Sequence, residues 1–282
     1  GCNNFCSYCK IPYARGPVRS RSMARIAEEA EILGKDGYSE IVLTGIHIGS
    51  YGKDLKDGTS LIDVMETVDR VSGVPRMRLG SLEPVMITEE FVRRAARLKS
   101  LCPQFHLSLQ SGCDKTLSAM RRRYTTDDFR NAVKNLRSAF PDAAITTDLI
   151  VGFPGETDED FEKSGAFCEE ISFAQMHIFP YSVREGTAAA LLPDRVSDGD
   201  KDKRTHIMLK SAADMKKAFY EKHIGQTLPV LFEQQKKGLW IGMTENYMEI
   251  RIKSDEDLKS KTIMCEILAY NAEEEYLQAK IK

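Results

Sequence analysis

Three features of the sequence predict an α/β fold of parallel strands, as a barrel or an open sheet, with a small antiparallel β-barrel after it. Short apolar runs alternate with amphipathic stretches as far as about residue 197. Strand, helix, strand repeated in this way implies parallel strands, because each helical crossover returns the chain to the same end of the sheet. From about Gly225 the pattern shortens to alternating runs of period two. A chain of 282 residues, 42% of them hydrophobic, can bury one large core and one small one.

In order along the chain, the runs from Glu40 to Gly45 (EIVLTG), Arg76 to Ser81 (RMRLGS), Phe105 to Gln110 (FHLSLQ), Ala144 to Gly152 (AITTDLIVG) and Ala174 to Pro180 (AQMHIFP) are expected as buried strands. Met23, Ile26, Ala30 and Leu33 share one helical face that ends near Gly34, and Phe129, Val133 and Leu136 share another. The stretch from Asp198 to Ile224 is expected as a long charged helix whose exposed start is DGDKDK. LPVLFE, LWIGM, YMEIRIK, TIMCEILAY and YLQAKI then supply the small barrel, with Met248, Ile250 and Ile252 on one face. The expected divisions are a core at 1–197, a helical linker at 198–224 and a small domain at 225–282.

The chain opens with GCNNFCSYCK, in which Cys2, Cys6 and Cys9 have the spacing C-x3-C-x2-C. Thiols packed so closely in a long chain more often bind metal or do redox chemistry than form disulfides. Three thiolates are one short of a closed structural zinc or iron-sulfur site, which leaves a position open for a ligand. Cys102, Cys113, Cys168 and Cys265 lie far apart and read as packed thiols, which fits a reducing compartment. No leader pattern opens the sequence and no apolar run approaches the ~20 residues of a membrane span, so a cytoplasmic protein with no membrane partner is expected. A net charge of -2 excludes a uniformly basic surface and leaves nucleic-acid contact to local patches.

Polar residues gather where the parallel strands end, the part of such folds that carries chemistry. Thr44 and Gly45 close the first run, Ser81 and Glu83 follow the second, Ser108 and Gln110 close the third, and GFPGE from Gly152 to Glu156 closes the fourth. A rim of glycines, amides and a carboxylate suits a ligand with amino, carboxyl and ribose groups. Each residue alone reads equally well as a turn former.

CNNFCSYC, with Tyr8 as the aromatic residue beside the last cysteine, resembles the cluster motif of radical S-adenosylmethionine (SAM) enzymes. ARGPVRSRS, LTGIHIGSYG, LGSLEP, HLSLQSGCDKTLSAMRRRYT, ITTDLIVGFPGETDEDF and FPYSVREGT together resemble the methylthiotransferases, most narrowly those acting on tRNA N6-threonylcarbamoyladenosine; the end of the chain is similar to a TRAM domain.

The resemblance implies a partial (β/α) barrel of the radical SAM type. It also implies that Cys2, Cys6 and Cys9 hold a 4Fe-4S cluster with an open iron site, where SAM binds and is cleaved reductively to a radical, and that a methylthio group is inserted at the adenosine C2 carbon. Tyr8 is then expected against the adenine, Thr44 and Gly45 at the methionine amino group, and Glu83 and Gln110 at the sugar and methionine ends. Gly152 is the expected further adenine contact, although Asp148 stands where the family pattern has its first glycine and Glu156 falls one position late. The family carries an N-terminal domain with an auxiliary 4Fe-4S cluster for the incoming sulfur; this domain and the first barrel strand are not found in the sequence, so the chain reads as a fragment. Implied partners are a tRNA anticodon stem-loop and a reductant protein such as flavodoxin or ferredoxin.

Arg15, Arg19, Arg21 and Arg25 precede the first acidic residue, and Arg121, Arg122 and Arg123 form a second basic cluster. Arg19, Arg21, Arg121 and Arg123 are the expected phosphate contacts, with Arg122 read as part of a solvated helix face. The small domain has eight Lys and Arg against ten Asp and Glu, so it is not an obvious RNA surface. Two other functions fit parts of the sequence: a methylthiotransferase acting on a ribosomal protein, and a non-catalytic zinc-binding RNA adaptor with His47 as the fourth ligand. His47, His106 and His177 otherwise read as strand-end or packed residues.

Overall fold

A computed structural model describes all residues, 1–282. After the cysteine loop come α1 (Ile11–Arg15), α2 (Met23–Lys35), β1 (Glu40–Leu43), α3 (Leu61–Val71), β2 (Arg76–Leu79), α4 (Glu89–Ala95), β3 (Gln104–His106), α5 (Asp114–Ala119), α6 (Thr126–Ala139), β4 (Ala144–Val151), α7 (Asp158–Ile171), β5 (Gln175–Pro180) and α8 (Asp198–Glu221). Three helices begin at capping boxes legible in the sequence: Ser60 with Asp63, Thr125 with Asp128, and Thr157 with Asp160. In each, hydroxyl and carboxylate satisfy amides that the first helical turn leaves free.

The strands are parallel, in the order β1-β2 and β3-β4-β5. Single bridges, Met77 with Leu101 and Leu82 with Leu107, join the two sheets into one curved half-barrel. Alternation divides each strand between two faces. Met77, Leu79, Phe105, Ile145, Leu149, Val151 and Met176 point outward into a core of 33 buried residues shared with the helices. Each fully buried Phe in the chain, such as Phe105 or Phe129, contributes ~1.5–3 kcal/mol. The intervening residues of each strand therefore line the concave face.

Two strand expectations need correction. β1 is an edge strand and not a buried one: Val42 is 52% exposed, and no strand pairs on the side away from β2. β3 is only three residues long. Beyond it, Leu107 to Gln110 continue extended through isolated bridges, and Gln110 adopts φ +69, which ends regular pairing there.

The remaining strands are β6 (Thr227–Lys236), β7 (Leu239–Thr244), β8 (Glu249–Ile252), β9 (Thr262–Asn271) and β10 (Tyr276–Ile281). They close as a barrel in the order β10-β8-β7-β6-β9 around Met248, Ile250 and Ile252, all at most 3% exposed. The barrel is not wholly antiparallel: its closing seam, β10 on β8, is parallel and pairs Leu277 with Ile250. The helix α8 does more than connect, since Met208 and Ala212 belong to the larger core and Tyr220 to the smaller.

The small barrel also plugs the half-barrel at the end where its strands begin. Arg76 and Arg78, inward on β2 and buried, donate to the carbonyls of Met243, Thr244 and Glu245, and Glu40 on β1 pairs with both arginines at 3.0 and 2.8 Å. That end is thereby closed, and the opposite rim stays open.

Candidate active site

At that rim lies the cysteine loop. Ser7 donates its N–H to the Met120 carbonyl and its hydroxyl to the Ala119 carbonyl, which lays the loop across the end of α5. At the other end, Cys2 donates to the Gly16 carbonyl and Val18 to the Asn3 side chain, so the segment folds back on itself. Cys2, Cys6 and Cys9 are all free thiols and partly exposed, whereas Cys102, Cys113, Cys168 and Cys265 are buried. Burial raises the thiol pKa of Cys2, and Cys6, Glu83 and Cys9 add to that rise. Cys2 therefore lies in the field of the other two thiols, and a thiolate there stands to gain from a cationic partner. No three His, Cys, Asp or Glu side chains converge closely enough to grip a single ion. A cubane asks for something else, because each of its thiolates binds a different iron. Three partly exposed thiols on one anchored loop fit that demand.

Arg122 is the largest departure from the sequence reading. Its side chain is 7% exposed, so it is no solvated helix face. It donates to Cys6 Sγ at 3.2 Å and to the Tyr124 hydroxyl at 2.9 Å, and it stands over the Tyr124 ring. Its Nη2 lies 3.0 Å from Glu83 Oε1, an ion pair by distance that falls off the line of a hydrogen bond. Burial alone would lower the Arg122 pKa; the surrounding Tyr124, Tyr8, Cys6 and Glu83 outweigh it and raise it. The signal for this residue was present, an arginine flanked by Arg121 and Arg123 with Tyr124 after it. The turn decided which arginine faced inward: Arg121 takes φ +58, leaving itself and Arg123 exposed.

Glu83 is the hub that joins loop and barrel. Its Oε1 accepts from Asn4 Nδ2 at 2.8 Å, and its Oε2 lies 3.1 Å from His47 Nε2. Burial pushes the Glu83 carboxyl pKa up, but His47, Arg122 and Asn4 prevail and hold it below its usual value. Both oxygens thus face cationic or donor groups of the protein. The second nitrogen of His47 faces Ser50 Oγ at 2.6 Å, so neither ring nitrogen is directed to the cysteines as zinc ligation would require.

Beside the loop, a cavity of about 330 Å³ is lined by Tyr8, Gln110, Asp148, Ile150, Arg184 and the chain from Phe179 to Ser182. Tyr8 packs edge-on against Phe153, and the Tyr181 hydroxyl is buried without a partner. An orphaned buried hydroxyl next to an aromatic face and an amide suits a polar, flat ligand. Gln110 and Tyr8 thus share one cavity, as expected, but the other rim residues do not. Thr44 and Gly45 line a separate, mainly apolar trough of about 370 Å³ along β1 and α2, together with Arg19, Arg21 and His47. Gly152 requires glycine, at φ +71 with Lys201 where a Cβ would stand, and donates its N–H to buried Glu156 at 2.8 Å. Glu156 is in turn held by Arg204 of α8 at 2.7 Å.

The basic residues flank the loop from both sides. Arg19 lies beside the Asn3 anchor, and Arg121 and Arg123 adjoin the α5 end on which the loop rests. None of these three pairs with a carboxylate, whereas Arg21 is bonded to Glu29.

Residues 1–168 match the family description "Radical SAM superfamily". The chain is 38% identical over 273 residues to the threonylcarbamoyladenosine tRNA methylthiotransferase MtaB of Bacillus subtilis, covering 95% of this chain and 60% of that protein. It is 36% identical over 266 residues to the tRNA-2-methylthio-N(6)-dimethylallyladenosine synthase of Acetivibrio thermocellus, covering 93% of this chain and 55% of that one. The chain therefore spans about 60% or less of the length of these relatives. Among solved structures, the fold is similar to the radical SAM methyltransferase TsrM of Kitasatospora setae (TM-score 0.55, 17% identity, 86% of this chain and 38% of that one). It is also similar to coproporphyrinogen III oxidase HemN of Escherichia coli (TM-score 0.54, 13% identity, 89% of this chain and 64% of that one). No helix is long and apolar enough to cross a membrane.

Proposed function

Because the chain belongs to the radical SAM superfamily and is homologous to tRNA methylthiotransferases, we propose that it is the radical SAM part of an enzyme that inserts a methylthio group at C2 of N6-threonylcarbamoyladenosine beside the anticodon of tRNA. The observation that carries the reading is the anchored loop of three free thiols at the open rim, which Arg122 and Glu83 fix in place and whose own Tyr8 lines a cavity shared with Gln110.

Cys2, Cys6 and Cys9 are the proposed ligands of the cluster. When bound, a 4Fe-4S cluster with an open iron supplies the electron that cleaves SAM. The protein's part is to hold and orient. Asn4 and Arg122 fix the loop against Glu83, and the largely buried guanidinium beside Cys6 offsets thiolate charge there. Tyr8 offers a ring face to an adenine, and Gln110 offers an amide whose strained backbone is fixed by bridging to Leu149. Thr44 and Gly45 are proposed at the methionine end, with Gly152 closing the adenine side. Arg19, Arg21, Arg121 and Arg123 are proposed to meet phosphates of the stem-loop. Only one cysteine triplet here has ligand spacing. The second cluster that sulfur insertion calls for is proposed in the part of the longer relatives that the match does not reach.

Mass spectrometry of tRNA nucleosides from cells lacking the gene tests the assignment. Loss of the 2-methylthio form of threonylcarbamoyladenosine supports it. Unchanged tRNA with loss of a modification on a ribosomal protein transfers the function to the protein substrate.

A further inference from the structure

The concave face of the half-barrel carries a polar group that neither the cysteine loop nor the Tyr8 cavity explains. Gln104 and His106 of β3, Thr146 and Asp148 of β4, and His177 of β5 alternate with outward core residues and so point inward together. They are bonded to one another. Gln104 Nε2 donates to Thr146 Oγ1 at 3.2 Å, His106 Nδ1 lies 3.1 Å from the same hydroxyl, and His106 Nε2 lies 3.4 Å from Asp148 Oδ2. His177 sits opposite Asp148 in the strand register, its ring 6.3 Å from that of His106, and its own ring nitrogens have no partner in the protein.

Asp148 also lines the Tyr8 cavity, so the group borders the place proposed for the SAM adenine, and a target adenosine that comes up beside SAM is within reach of it. An apolar N6 substituent, such as dimethylallyl, would cover Asp148 and His177 with hydrocarbon in place of water and offer them no hydrogen bond, which costs binding. A threonylcarbamoyl substituent has an amide N–H and a hydroxyl to donate, and a carboxylate to accept.

Resting on the reading above, we propose that Asp148 and His177 are the specificity residues for the N6 substituent of the target adenosine: Asp148 accepts from its N–H or hydroxyl, and His177 donates to its carboxylate. His106 is a positioning residue. Held by Thr146, it keeps Asp148 turned toward the cavity.

The test measures binding of the full chain to three anticodon stem-loops that differ only at the target adenosine, which is threonylcarbamoylated, dimethylallylated or unmodified. Wild-type protein is expected to prefer the threonylcarbamoyl RNA. Asp148→Asn and His177→Leu should each shrink its preference over the dimethylallyl RNA by about tenfold, the worth of one hydrogen bond involving a charged group. His106→Ala should lose part of the preference and His106→Gln, which keeps a donor toward Asp148, should restore it. If wild type prefers the threonylcarbamoyl RNA and both Asp148→Asn and His177→Leu keep the full preference, the inference fails while the reading stands. If wild type prefers the dimethylallyl RNA or binds all three alike, the reading itself fails. His177 is exposed, so its variant tests the idea even if Asp148→Asn folds poorly.

Discussion

Replacing Arg122 with alanine removes a side chain that touches the cysteine loop, the segment after β2 and an aromatic support at once. The lost contacts are those to Cys6 at 3.2 Å, Tyr124 at 2.9 Å and Glu83 at 3.0 Å. Breaking a buried ion pair by removing one partner costs ~3–5 kcal/mol. Glu83 keeps Asn4 and His47 and its side chain is 15% exposed, so the expected loss lies near the lower end, about 3 kcal/mol.

The pH dependence has a definite sign. The carboxyl pKa of Glu83 is lowered on folding, so its contribution is present above the unfolded value of about 4.3 and is lost as pH falls through the folded value. Without Arg122 the folded value rises toward the unfolded one. The difference between wild type and Arg122→Ala is therefore largest at neutral pH and shrinks on acidification. Urea unfolding at neutral and acidic pH measures this, and a cycle with Glu83→Gln isolates the pair. A neutral-pH loss below ~1 kcal/mol, as for a surface pair, or one that does not change with pH, would refute a buried structural role for Arg122.

Anaerobic reconstitution should load one 4Fe-4S cluster per chain, and Cys2→Ala, Cys6→Ala or Cys9→Ala should each abolish it in iron and sulfide analysis. Cys168→Ala should load normally, because burial, with the Glu169 charge adding to it, pushes that thiol up to about 12 and leaves it inert. Arg204→Ala should destabilise the fold by ~3 kcal/mol, since Glu156 stays buried without its partner. Burial already raises the Glu156 carboxyl on folding, so its ionisation works against stability as pH rises. Equilibrium unfolding should show a larger Arg204→Ala deficit at alkaline than at acidic pH. For RNA, removing Arg19, Arg121 or Arg123 should lower the salt slope of stem-loop binding by ~0.7–0.9 each. Arg21 should count for less because it is bonded to Glu29, and equal slopes for all four variants would contradict that ranking.

Local patterns determined much of this protein. The period of apolar residues placed β1 to β5, α2 and α6, and the change of period at Gly225 announced the small barrel, because helix and strand each write their repeat into neighbouring residues. Cys2, Cys6 and Cys9, the proposed ligands, were readable for the same reason: they lie on one loop, so their spacing is contained in a single stretch of sequence. What only the tertiary structure decided involves partners distant in sequence. Glu83 and Asn4 are 79 residues apart, Arg122 and Cys6 are 116 apart, and Arg76 reaches Thr244 across 168. Charge and composition made Arg121, Arg122 and Arg123 equivalent, yet one positive φ sent Arg122 inward and left its neighbours in solvent. The inward polar group was hidden likewise. Each of its members reads as an ordinary strand residue until the register of β3, β4 and β5 brings His106, Asp148 and His177 onto one face. Alternation places each residue on a face of its own strand, but which residues of different strands become neighbours depends on pairing between segments far apart in the chain.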